Sequence, residues 1–121
     1  MSGTAFASVG GVDCLTGDAC LYYNSGFGGA RWTYPGDVPN LQGERFYAWK
    51  TYNGTVDSAG DAQPVKNNTA SAQNWSNTQG FRIYYNSNYG GVYQTFDAGM
   101  QGNLNSSLKN EDASIKWFQE F

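Results

Sequence analysis

Apolar residues along this chain come in short runs closed by Gly, Asn and Pro, without the sustained three-to-four-residue rhythm of an amphipathic helix. Residues 19–23 read as a first strand, and Asn24-Ser25-Gly26 as the turn that ends it, because Asn and Gly tolerate turn backbone. A second strand at 30–34 runs into Pro35-Gly36-Asp37. Residues 37–41 then form an extended connection, since Pro39 cannot donate to a ladder. Residues 45–52 have strand composition and lead to Asn53-Gly54, a strong two-residue hairpin signal, with a loop at 57–61. A short strand ending near Trp75 precedes the link 76–80. Strands at 81–85 and 92–96 follow, joined by Asn86-Ser87-Asn88, and a last strand lies at 115–118. Residues 99–108 have room for one helical turn.

The pattern occurs twice. Tyr84-Tyr85-Asn86-Ser87-Asn88-Tyr89-Gly90-Gly91 repeats Tyr22-Tyr23-Asn24-Ser25-Gly26-Phe27-Gly28-Gly29, and Lys109-Asn110-Glu111-Asp112-Ala113-Ser114 echoes Lys66-Asn67-Asn68-Thr69-Ala70-Ser71. Two copies of a two-part signal imply an internally duplicated fold. Asn40-Leu41 lies 63 positions before Asn103-Leu104, whereas Asn67 lies 43 before Asn110, so the first copy carries 20 extra residues. The expected organisation is a lead-in at 1–12 and one domain at 13–121. Its first motif spans 19–76, with an insertion at 42–63, and its second spans 80–121. The lead-in is small-residue chain, expected to be flexible. The insertion is either a functional appendage or a hairpin that covers a sheet edge.

Composition narrows the classes. With 121 residues, 16 glycines, 17% aromatic and 14% charged residues, the chain suits a strand-and-turn domain and is too aromatic for disorder. A formal charge of −3 leaves no basic footprint for nucleic acid, and no apolar run approaches membrane-spanning length. Histidine is absent, which removes Ser-His-Asp and Cys-His catalysis and His-ligated zinc. Cys14 and Cys20 flank a Gly-Asp turn and read as a disulfide worth about 2 kcal/mol, although a redox or metal pair is the competing reading. A disulfide implies an oxidising, extracellular setting. Residues 1–5 lack the charged start and apolar core of a leader, so Met1 reads as a start codon set before a mature secreted chain.

Tyr22-x4-Phe27-x-Gly29 and Tyr84-x4-Tyr89-x-Gly91 resemble the tyrosine corners of the βγ-crystallin superfamily, and the two Asn-rich turns resemble its calcium signature. The cysteine-led start and the Tyr-Tyr-Asn-Ser wording resemble secreted actinobacterial relatives grouped with the Streptomyces metalloproteinase-inhibitor family. The resemblance implies an all-β sandwich of two Greek keys and two calcium sites, each built from both motifs. In it Asn68 and Glu111 offer side-chain oxygens, Thr69 and Asp112 offer carbonyls, Ser71 and Ser114 reach the site of the opposite motif, and carbonyls near Tyr23 and Tyr85 complete the shells. Oxygen-rich turns suit a hard cation that takes six to eight oxygen ligands.

Departures from the signature predict unequal sites. Ala72 and Ile115 replace its final Ser, Glu111 stands where Asp or Asn is usual, the first turn has no carboxylate, and Lys66 and Lys109 add positive charge. The bland alternative is that these Asn and Ser side chains satisfy their own backbone.

Three functions therefore compete. The first is ion-linked stability of a secreted, monomeric calcium-binding domain. The second is inhibition of an extracellular peptidase, which the family grouping implies and for which 42–63 is the best exposed loop. The third is recognition of cell-wall polysaccharide by Trp32, Tyr47, Trp49 and Tyr52, although aromatics in a small β-protein more often form core. No carboxylate pair stands at a catalytic spacing, so an enzyme is not expected.

Overall fold

Residues 8–121 are described by the structure, a computed structural model. Among the described residues nine strands form: β1 (Ala19–Asn24), β2 (Gly28–Tyr34), β3 (Trp49–Lys50), β4 (Val56–Asp57), β5 (Ser71–Asn74), β6 (Gln79–Asn86), β7 (Gly90–Phe96), β8 (Gln101–Asn103) and β9 (Ser114–Gln119). A 3-10 turn, Ser25–Phe27, joins β1 to β2. At 106–110 the chain makes only a turn, in which the Lys109 N–H donates to the Asn105 carbonyl at 2.9 Å.

All pairing is antiparallel, in two main sheets ordered β2-β1-β5-β8 and β7-β6-β9. Each sheet borrows from the other half of the chain. β8, from the second copy, closes the first sheet against β5, while Val38, from the first copy, bridges Ile115 of β9 in the second. Leu41 N–H donates to the Ala113 carbonyl and Leu104 N–H to the Ala70 carbonyl, both at 2.9 Å. This exchange fastens the two halves by backbone bonds as well as by their core.

Period-two alternation puts Phe81 and Ile83 inward on β6 while Arg82 and Tyr84 stay partly exposed. Between the sheets, Leu21, Trp32, Leu41, Phe46, Val65, Phe81, Ile83, Leu108 and Ile115 are fully buried. Apolar burial is the dominant favourable term in folding. The two tyrosine corners match in detail. Gly29 and Gly91 both have φ of 78°, and a β-carbon there would come within 3.0 Å and 2.8 Å of the Asn24 and Asn86 amide nitrogens. Only glycine takes that backbone without strain.

Two expectations change. The strand expected at 45–52 is regular only at Trp49–Lys50, and its turn is five residues long, closed by Thr51 N–H to the Thr55 carbonyl at 2.8 Å. The insertion covers a sheet edge, one of the two roles open to it: Phe46 lies in the core, and Tyr47 exchanges two backbone hydrogen bonds with Arg31 on the outer edge of β2. The described part of the lead-in, residues 8–12, is pinned. Gly11 bridges Thr33, and the buried Glu44 carboxylate accepts from the Ser8 hydroxyl, the Val9 and Gly10 N–H groups and Trp32 Nε1.

Candidate functional site

Two hollows related by the duplication lie where the signature turns meet the tyrosine corners. The first, of about 370 Å³, is lined by Tyr23, Asn24, Ser25, Asn68, Ala70, Lys109 and Asn110. The second, of about 330 Å³, is lined by Lys66, Asn67, Tyr85, Asn86, Ser87, Glu111 and Ala113. Each therefore combines a corner from one motif with turns from both.

Their chemistry departs from the expectation. Ser71 and Ser114 are fully buried and do not reach across to the opposite motif. The Ser71 hydroxyl donates to the Asn24 carbonyl at 2.6 Å and accepts from Phe27 N–H at 3.0 Å. Ser114 does the same for Asn86 (2.7 Å) and Tyr89 (3.0 Å). Both hydroxyls thus hold the folded corner of their own motif, where Phe27 and Tyr89 sit at φ of 63° and 62°, and the residues facing the hollows are Ala70 and Ala113. A side-chain oxygen that stabilises a positive φ at a bulky residue is doing structural work.

Asn67 and Asn110, at φ of 65° and 60°, adopt the left-handed conformation that Asn tolerates. The Asn68 amide donates to the Pro64 carbonyl at 2.9 Å. Thr69 and Asp112 face each other across the pseudo-symmetry axis. The Thr69 hydroxyl donates to Asp112 Oδ2 at 2.7 Å, its N–H donates to Oδ1 at 3.1 Å, and reciprocal backbone bonds run Asn67 to Asp112 and Asn110 to Thr69. Burial raises the Asp112 pKa to about 6, with the Thr69 and backbone hydrogen bonds opposing the rise. Glu111 stays exposed at the rim of the second hollow.

Calcium, which the signatures implied, finds a poor donor set. The first hollow has no carboxylate and the second has only Glu111, while a lysine lines each. Among the described residues no three His, Cys, Asp or Glu side chains gather to hold a metal. The hollows offer amide, hydroxyl and backbone oxygens but at most one carboxylate beside a lysine, a weakly charged set for a hard dication that takes six to eight oxygens.

The aromatic group splits up as well. Trp32 is fully buried. Trp49 donates its indole N–H to the Gly29 carbonyl at 2.7 Å and carries the Arg31 guanidinium 4.1 Å from its ring centroid. Only Tyr47 and Tyr52 are exposed, so the four form no common stacking surface. Tyr52 stands fully exposed at the tip of the β3–β4 hairpin. That tip is braced by Thr51 with Asn53 and by Thr55 N–H to Asn53 Oδ1 at 3.3 Å, and its base by Ala48 N–H to Asp61 Oδ1 at 2.8 Å. Cys14 and Cys20 form the expected disulfide, with Cα atoms 6.0 Å apart. Glu44, the buried partner of Trp32, carried no sequence signal beyond its place in the insertion.

The fold has close likenesses among solved structures. One described under the evolution of the eye-lens βγ-crystallin domain fold superposes with a TM-score of 0.67 at 17% identity, covering 93% of this chain and 98% of that one. A βγ-crystallin from an archaeon gives 0.55 at 18%, covering 86% and 100%. A double mutant of a βγ-crystallin domain from Clostridium beijerinckii gives 0.55 at 18%, covering 85% and 98%. At these identities the likeness establishes the fold, a βγ-crystallin sandwich. A search of curated protein sequences finds no match. The family model for peptidase inhibitor family I36 matches residues 7–96, from the pinned lead-in through the insertion to the end of β7. The chain belongs to peptidase inhibitor family I36.

Proposed function

We propose that the protein inhibits an extracellular peptidase by presenting the β3–β4 hairpin tip to the enzyme's substrate cleft. The observation that carries this reading is Tyr52, a fully exposed aromatic on a turn whose backbone is tied by its own hydrogen bonds. An inhibitor loop gains affinity by being ordered before it binds, since less conformational entropy is lost on association. An aromatic side chain supplies the contact area that interface anchors provide. The family match supports a peptidase as partner and includes this hairpin. The disulfide fits an oxidising, extracellular setting.

The assay is hydrolysis of a peptide substrate by a thermolysin-type metallopeptidase with increasing amounts of the protein. Saturable inhibition is expected. Tyr52→Ala should weaken it at least about tenfold while leaving Tm unchanged, because tenfold corresponds to ~1.4 kcal/mol of lost contact. Full peptidase activity at excess protein refutes the reading for that class. Unchanged inhibition by the variant moves the contact away from this hairpin.

A further inference from the structure

We infer that the two halves are latched by the Thr69–Asp112 contact in place of a shared ion, and that the lysine-bearing hollows leave the fold indifferent to calcium. This goes beyond peptidase inhibition and stands or falls independently of it. Three observations combine.

First, the two serine hydroxyls a cation would draw on are already engaged. Both signature hydroxyls hold their own corners, and the residues that face the hollows in their place are alanines. Second, a lysine lines each hollow, Lys109 the first and Lys66 the second, with the Lys66 ammonium held 3.4 Å from Asn40 Oδ1. A cationic side chain at the wall disfavours a dication nearby, and only Glu111 at the second hollow offers an opposing charge. Third, the task of joining the halves is performed on the symmetry axis. Thr69 and Asp112 occupy equivalent positions in the two turns, and both carboxylate oxygens of Asp112 accept from Thr69 in a fully buried setting. The flanking reciprocal bonds from Asn67 and Asn110 complete a four-bond clasp. In so buried a setting the bonds satisfy polar groups that would each be costly to leave without a partner.

The test is thermal melting of the full chain in 1 mM calcium chloride and in chelator, with calorimetric titration of calcium. A site filled at 100 times its Kd would raise Tm by about 10 °C in a domain of this size. The expected result is a shift below ~1 °C and no saturable heat. A shift of several degrees, or a saturating isotherm below millimolar calcium, overturns the inference. Thr69→Val keeps the side-chain volume and removes the hydroxyl donor. It should lower Tm by several degrees equally in calcium and in chelator, and an unchanged Tm overturns the latch.

Lys66→Glu replaces a cationic lining residue of the second hollow by a second carboxylate. That variant should acquire a calcium-dependent rise in Tm of several degrees. If it stays unresponsive, lysine is not what excludes the ion, and that part of the inference fails.

Discussion

On the outer edge of β2, Arg31 exchanges two backbone hydrogen bonds with Tyr47, and Thr33 exchanges two with Gly11. The duplication places Tyr93 and Thr95 at the same positions on β7, since Tyr84 pairs Tyr93 as Tyr22 pairs Arg31, and Arg82 pairs Thr95 as Cys20 pairs Thr33. Their outward N–H and C=O groups have no backbone partner among the described residues. The face above β2 is covered too, by Trp49 lying over Arg31 and edge-on to Tyr22 at 6.1 Å. Above β7 the corresponding layer is Tyr84, Tyr93 and Arg82, open to solvent. One repeat thus shows what the insertion does for the other. It caps an edge and a face that the unmodified motif leaves free, and an uncapped edge is a template for pairing with another chain.

The largest effect that would break this contrast comes from the residue that anchors the cap. Phe46 is fully buried and meets Tyr23 edge-to-face at 5.8 Å, so Phe46→Ala should cost about 3–5 kcal/mol, read as a fall in the denaturant midpoint. Amide exchange at Arg31 and Ala30 should then accelerate towards that of Tyr93.

The second effect concerns the clasp, where the copies differ by having threonine on one side and a carboxylate on the other. The folded-state pKa of Asp112 is raised from 3.8 to about 6, so between these values the folded state binds more protons than the unfolded one. Its contribution to stability is fully present below pH 3.8 and is lost as pH rises through about 6, a change of about 3 kcal/mol. Denaturant unfolding across this range should show the difference as a pH slope in the wild type that Asp112→Asn removes.

The smallest effect on stability is at the bare edge. β7, Gly-Gly-Val-Tyr-Gln-Thr-Phe, carries no charge of its own. Thr95→Lys should change stability by less than ~0.5 kcal/mol yet suppress concentration-dependent self-association in sedimentation velocity. An identical sedimentation profile for the two proteins at high concentration would mean the edge is not a pairing site.

Much of this architecture is legible in the chain. The strands at 19–23, 30–34, 81–85 and 92–96 fall inside the observed β1, β2, β6 and β7, because period-two burial and Gly-closed turns are local signals. The tyrosine corners were legible for a related reason: a position that requires φ near 78° requires glycine, and the letter itself reports the backbone. The disulfide followed from two cysteines across a short turn. The site was legible only as a location. Sequence brought the right turns together, but a serine hydroxyl reads the same whether it faces an ion or its own corner, and Ser71 and Ser114 face their corners.

By itself, then, the sequence determined the two-copy repeat, the places of its hairpin strands and the corner geometry, since within each copy these are set by residues near one another in the chain. Tertiary structure alone decided that Val38 and β8 exchange sheets, that Glu44 is buried under Trp32, that Thr69 meets Asp112, and that Ala70 and Ala113 rather than Ser71 and Ser114 face the hollows. The partners in the Glu44–Trp32 and Thr69–Asp112 contacts lie 12 and 43 positions apart. Which hydroxyl or carboxylate satisfies which buried group is settled only when the sheets close and every polar atom must find a partner away from water.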